Sequence, residues 1–189
     1  IENNVDIINY SGGGPVGSKV EFELLKRAER KGILVIVSAG NEKSNIDFAN
    51  NYHFPANYGL SNLIVVGSHD QKGKLNKYSN WGNNVHISAP GYKINSSLPF
   101  NKEGNLNGTS QATAFVSGVA SLIKAKYPHF SYKEIKDIIL QSATQNEQND
   151  LYVKYGRLNA GEAMDLALKY QVEKIVQNTY RSIASDTKK

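Results

Sequence analysis

The sequence has no cysteine, which excludes a disulfide framework and thiolate chemistry. It has no apolar run long enough to span a membrane, no internal repeat and no low-complexity block. A strong charge imbalance is also missing. The formal net charge is +5, and Lys and Arg are spread along the chain apart from a small cluster at Lys26, Arg27, Arg30 and Lys31. That cluster reads as the solvated face of a helix, so no nucleic-acid partner is expected. Nothing at the start reads as a signal peptide. An initiator Met is lacking too, and Ile1-Glu2-Asn3-Asn4 leads straight into a strand. We therefore expect an N-terminal part of a larger protein upstream. What remains is ordinary: 189 residues, 40% hydrophobic and 21% charged, enough for one domain with a sizeable core.

Val5–Tyr10 reads as a buried strand that ends in Ser11-Gly12-Gly13-Gly14-Pro15, where Gly and Pro force a turn. Lys19–Lys31 carries apolar residues at Val20, Leu24, Leu25 and Ala28, predicting an amphipathic helix closed by Gly32. Ile33–Val37 is a continuous apolar run, which suits a parallel sheet covered on both faces. Strand, helix and strand make a βαβ unit. Further strands are expected at Leu63–Gly67, Val85–Gly91 and Ile94–Leu98, with loops over Lys43–Tyr58 and Tyr78–Gly82. From Ala112, apolar residues at Phe115, Val116, Val119, Leu122 and Ile123 have helical spacing, and Pro128 stops that helix. Ser131-Tyr132-Lys133-Glu134 predicts a capping box for the next helix, to about Ala143. A polar loop follows over Thr144–Asp150. Asn159, with Glu162 three residues on, caps a last helix that keeps its spacing through Val172, Ile175 and Val176 and frays from about Ser182.

Two constellations compete for function. Gly12-Gly13-Gly14-Pro15-Val16-Gly17 satisfies G-x-G-x-x-G between a strand and a helix, the context of a dinucleotide site. Pro15 lacks an N–H there, and Glu42 comes late for the ribose-binding carboxylate. The other is an acyl-transfer site. Ser110, at a Gly108-Thr109 turn opening a buried helix, can be a nucleophile, with its own N–H one oxyanion donor. Asn41, just past a parallel strand, can supply the second donor through its amide. The backbone of Ser11-Gly12-Gly13 could pair with an extended peptide. Read alone, Ser110 is an N-cap and Asn41 fits a turn residue as well as a donor.

Three blocks, Ser38-Ala39-Gly40-Asn41-Glu42, Ser88-Ala89-Pro90-Gly91 and Asn107-Gly108-Thr109-Ser110-Gln111-Ala112, resemble those of the subtilisin-like serine proteases, in the family's order and at similar spacing. Val5–Gly13 resembles the strand walling the substrate cleft, and Gly156-Arg157-Leu158-Asn159-Ala160 the start of the C-terminal helix. The resemblance implies an α/β, three-layer fold with a mostly parallel sheet and helices on both faces, its N-terminal part missing. It covers about residues 5–168 and divides the chain into a peptidase portion over 1–168 and a helical extension and tail over 169–189. It implies Ser110 as nucleophile and Asn41 as oxyanion donor. Ser11, Gly12 and Gly13 become one wall of the primary substrate pocket, and Ser38, Ala39 and Gly40 the other. His53, near the pocket floor, would contact the substrate side chain. Polypeptide substrates, a secreted or cell-envelope location and no cofactor for the chemistry also follow; a structural calcium near Phe54–Leu63 is compatible with it.

Two departures qualify the resemblance. Gln111-Ala112-Thr113-Ala114-Phe115 replaces the family's usual Met-Ala-Ser-Pro-His, which keeps the small Ala112. More consequentially, none of the four histidines, His53, His69, His86 and His129, sits in a His-Gly-Thr block, and neither Asp6 nor Asp47 has the context of a triad aspartate. The expectation is that Asp and His lie upstream and that this chain alone is inactive, since an unassisted serine is a poor nucleophile. A non-catalytic peptide-binding relative is the alternative, and a dinucleotide-binding module the third reading.

Overall fold

The computed structural model describes residues 1–145 and 152–186. Four strands form one parallel sheet in the order β1 (Ile7–Tyr10), β2 (Leu34–Ser38), β3 (Leu63–His69), β4 (Ile87–Pro90). Ile7 lies beside Leu34, Ser38 beside Val66 and His69 beside Pro90. The apolar runs are buried along their whole length in β2 and β3. Successive side chains point to opposite faces, so each strand feeds two cores. Leu34, Ile36, Ile64, Val66, Ile87 and Ala89 pack on one face against α2 (Thr109–Lys126), α3 (Tyr132–Gln141) and α4 (Ala160–Asp186). Val35, Val37, Leu63 and Val65 pack on the other face with Leu25 and Ala28 of α1 (Lys19–Arg30). This is the expected three-layer α/β arrangement.

Local signals placed most ends. The Ser18 hydroxyl accepts the Glu21 N–H at the start of α1, and Gly32 takes φ +75° after its end. Both bonds of the Ser131–Glu134 capping box are present, and the Asn159 amide oxygen accepts the Glu162 N–H. α4 runs without interruption to Asp186, past Ser182. Within the expected Thr144–Asp150 loop, residues 146–150 lie outside the described residues.

Two helical faces differ from the pattern. In α1 the buried residues are Leu25 and Ala28, while Val20 and Leu24 face outward. In α2 the buried stripe is Ala112, Val116, Val119, Ala120 and Ile123, whereas Phe115 is 43% and Leu122 58% exposed. Spacing alone marks an apolar face wider than the part the described chain covers. A strand not foreseen, β6 (Lys102–Leu106), pairs antiparallel with β5 (Ile94–Leu98). Lys102-Glu103-Gly104-Asn105 has no apolar alternation to betray it.

Candidate active site

The carboxyl ends of β1 and β2 and the start of α2 converge. The turn before α2 is held from beneath: Gly108 N–H donates to the Gly91 carbonyl (2.9 Å), and Gly91 N–H to that of His69 (3.1 Å). A side chain at Gly91 would run into the Ser68 hydroxyl and the Gly108 carbonyl. The Asn107 side-chain oxygen accepts the Lys93 N–H at 2.7 Å. The Ser88–Gly91 block thus serves as the support of the serine turn.

Ser110, half-buried in the first turn of α2, is tied to Ser11 in both directions. Its hydroxyl donates to the Ser11 carbonyl (3.1 Å), and the Ser11 hydroxyl donates to the Ser110 carbonyl (3.0 Å). The Asn41 side-chain oxygen accepts the Thr109 N–H at 2.9 Å and the Thr109 hydroxyl at 3.2 Å. Because an N–H can only donate, Oδ1 must face Thr109 and Nδ2 must point away. Nδ2 has no acceptor among the described residues, and it lies 3.8 Å from where a Cβ on Gly108 would stand. The Ser110 N–H belongs to the unpaired first turn of a helix, where partial positive charge accumulates. Two outward-facing donors therefore flank a hydroxyl, an arrangement able to hold a tetrahedral oxyanion.

Beside this run two backbone walls. Ser11-Gly12-Gly13 forms one wall and Ser38-Ala39-Gly40 the other, joined by the Ser38 hydroxyl donating to the Gly12 carbonyl at 3.2 Å. The His53 ring spans the two walls and is 6% exposed. A Cβ on Gly13 would collide with its Nε2 and with the Phe54 carbonyl. A Cβ on Gly40, whose φ is +99°, would fall 2.7 Å from its Nδ1. Nδ1 also faces Glu42 Oε2 at 3.4 Å. Burial pulls the imidazole below its ordinary pKa, and the Glu42 carboxylate only partly opposes this.

Asn80, 1% exposed, organises this corner. Its Nδ2 donates to the Ala39 carbonyl (2.8 Å) and to Glu42 Oε2 (2.6 Å), while its Oδ1 accepts the N–H groups of Glu42 (3.1 Å) and Ser44 (2.9 Å). Sequence reasoning missed both Asn80 and Thr109. Asn80 stands in Ser79-Asn80-Trp81-Gly82, which carries only a turn signal.

The structure brings Ser110, Asn41, Ser11, Gly12, Gly13, Ser38, Ala39, Gly40 and His53 together. It brings no imidazole to Ser110. His69 Nδ1 pairs with the Ser88 hydroxyl at 3.0 Å, His86 Nδ1 accepts the Val65 N–H at 3.0 Å, and His129 stacks edge-on to Phe130. The dinucleotide reading fails here. Gly14 N–H donates to the Phe54 carbonyl at 2.9 Å, and Phe54 N–H returns a bond to the Gly14 carbonyl at 2.7 Å. Since Ser18 caps α1, the glycine turn is stitched to a neighbouring loop and offers no phosphate cradle. Along α2, a groove of about 430 Å³ opens between Ile94, Ala114, Phe115, Gly118, Val119 and Leu122.

Residues 1–157 match the profile of the Subtilase family, Peptidase_S8. A thermostable alkaline protease of Halalkalibacterium halodurans is 37% identical over 163 residues, 86% of this chain and 43% of the relative. Subtilisin E of Bacillus subtilis strain 168 is 36% identical over 86% of this chain and 42% of its own length. The chain therefore spans about two-fifths of the length of these relatives. Among solved structures, the prenylagaramide maturation protease PagA aligns with a TM-score of 0.76 at 28% identity, covering 88% of this chain and 63% of that one. The protease domain of a PatA mutant aligns equally, with a TM-score of 0.76 and coverage of 89% and 62%.

Proposed function

The chain belongs to the Subtilase family, and from that premise we propose that it supplies the nucleophile and the oxyanion hole of a serine endopeptidase. Ser110 Oγ attacks the scissile carbonyl carbon and gives its proton to a general base. The resulting oxyanion is held by the Ser110 N–H and Asn41 Nδ2. Collapse expels the amine, protonated by the same base, and water then hydrolyses the acyl-enzyme by the reverse proton path. The observation that carries this reading is the pair of hydrogen bonds from Thr109 to Asn41 Oδ1, which leaves Nδ2 facing outward beside Ser110.

The base is contributed by polypeptide outside this sequence. His53, His69, His86 and His129 are each engaged elsewhere, so this chain alone hydrolyses peptides very slowly or not at all. The apolar groove along α2, open beside the serine turn, is where we seat the base-bearing portion. No metal enters any step. A structural calcium at the loop from Phe54 to Leu63 would be held by backbone carbonyls other than that of Ser61, which accepts the Lys136 ammonium at 2.8 Å. Among the described residues no helix is long and apolar enough to cross a membrane, and by resemblance we place the protein in the secreted or envelope fraction.

A fluorophosphonate distinguishes these states. The chain by itself should label at Ser110 no faster than background. The full-length gene product should label at the rate of an active serine protease, and Ser110→Ala should abolish the labelling. Rapid labelling of the isolated chain would overturn the missing-base reading. The second reading, a non-catalytic peptide binder, is favoured by one observation: the Ser110 hydroxyl is spent on the Ser11 carbonyl. Full-length protein that never labels yet binds extended peptides would establish it.

A further inference from the structure

We infer that Gln111 is a third oxyanion donor, given the peptidase reading: its side-chain amide turns Nε2 toward the oxygen that the Ser110 N–H and Asn41 Nδ2 hold.

Gln111, half-buried, follows the serine in the first turn of α2. Side chains on a helix lean back toward its N-terminus. This one therefore runs over the turn that precedes the helix, at Gly108. The glycine leaves open the position that a Cβ fills in any other residue. A Cβ there would stand 2.9 Å from Gln111 Oε1, 3.6 Å from Ser110 N and 3.8 Å from Asn41 Nδ2. The end of the Gln111 amide thus borders the same point as the two donors of the proposed oxyanion hole.

Its bonding there is incomplete. Oε1 is buried and has no hydrogen-bond partner among the described residues, a costly state for an amide oxygen. Thr109 fixes the Asn41 amide through two bonds, whereas no donor fixes Gln111 Oε1. A half-turn of the Gln111 amide therefore breaks no bond to that atom. The two ends of a carboxamide have nearly the same shape and differ in what they bond: the oxygen accepts and the nitrogen donates. A substrate oxygen that gains negative charge at this point repels Oε1 and attracts Nε2. The attraction grows with the charge, so it is largest in the transition state. The Met usual in the family at this position has no N–H to offer, so the third donor is a property of this sequence.

The test uses the full-length protein. Gln111→Met keeps the length of the side chain and removes its donors; Gln111→Glu keeps the shape and leaves acceptors alone at neutral pH. Each should lower kcat on one peptide substrate by at least about tenfold, with KM within about twofold of the parent, because a lost oxyanion donor acts on the transition state. A peptide aldehyde, which adds the serine at its carbonyl, should bind each variant more weakly by a similar factor. The corresponding peptide alcohol cannot add the serine and should bind as before. If Gln111→Met fails to fold, Gln111→Glu decides the matter alone. An unchanged kcat would overturn the third donor. So would a fall in kcat that the aldehyde does not share, or an equal weakening of aldehyde and alcohol, since either marks a packing effect.

A binding arm separates the third donor from the peptidase reading. In the Ser110→Ala protein, a peptide ending in a free carboxylate can place one oxygen at the same point without chemistry. Adding Gln111→Met should weaken that peptide about tenfold and leave the peptide alcohol unmoved. This result, in a protein whose parent cleaves nothing, supports the third donor while the peptidase reading fails. Carboxylate binding that ignores Gln111→Met overturns the third donor whatever the catalysis.

Discussion

At the scale of single residues, the polar atoms that do most here are those with only one way to bond. Asn41 would be an ordinary turn amide if Thr109 did not fix its orientation through two bonds to Oδ1. Asn41→Ala should therefore reduce kcat of the full-length protein by 10²–10³ with KM little changed, the loss known for a subtilisin whose side-chain donor is removed; steady-state kinetics on one peptide substrate checks it. His86 is fixed in the opposite sense. Its Nδ1 accepts the Val65 N–H, a bond that protonation of that nitrogen destroys. Burial pushes the imidazole down to about 3, and the same cause brings His69 down to about 4. The unfolded chain takes up these protons near pH 6.5. Stability is therefore complete above that value and falls as pH drops below it, by about 1.4 kcal/mol per unit for each group, until the folded values are reached. His86→Asn preserves an acceptor for Val65 and removes one titration. Its urea midpoint should fall less between pH 7 and pH 5 than that of the parent; an equal fall would show that His86 is not the acid-sensitive group.

Elements carry the next layer, and they show what a sequence can reveal. The parallel strands were legible because burial on both faces demands unbroken apolar runs, as in β2. The caps at Ser131 and Asn159 were legible because capping is local chemistry. Ser110 and Asn41 could be picked out in the sequence because one opens a helix after a glycine turn and the other follows a parallel strand. What was hidden depends on distant contacts. Asn80 reads as a turn residue, yet it binds Ala39, Glu42 and Ser44, some forty positions upstream. Nothing near Asn80 in sequence encodes that. Replacing it by Ala strands several buried donors and acceptors at once, each costing about 1–3 kcal/mol. Asn80→Ala should lower the unfolding free energy by roughly that amount or more, read from urea denaturation. It should also loosen the loop holding Asn41, so that kcat falls together with stability. A variant as stable as the parent would refute the assignment of Asn80 as the hub. The apolar stripe of α2 was legible as a pattern, but its cover was not, since periodicity states only that a face is apolar.

Across the whole molecule, that uncovered face and a serine with no imidazole beside it among the described residues point the same way. The helix that carries Ser110 buries Val116, Ala120 and Ile123 against the sheet and leaves Phe115 and Leu122 in the open groove. β1, whose carboxyl end supplies Ser11, is an edge strand with one neighbour among the described residues. The curated relatives extend well beyond the matched stretch. Stability of this chain and completion of its site should therefore be separable by mutation. Ile123→Ala removes packing that the chain makes by itself and should cost about 2–5 kcal/mol. Phe115→Ser with Leu122→Ser touches only the groove. In the isolated chain the pair should shift stability by no more than about 0.5 kcal/mol for each exposed position. In the full-length protein the same pair should sharply reduce fluorophosphonate labelling of Ser110, because a base-bearing portion seated on a polar groove loses the apolar burial that holds it in register with the serine. Urea denaturation of the chain and labelling of the whole protein, run on the same two variants, decide the matter. If the groove pair leaves labelling intact, the base is held by some other surface.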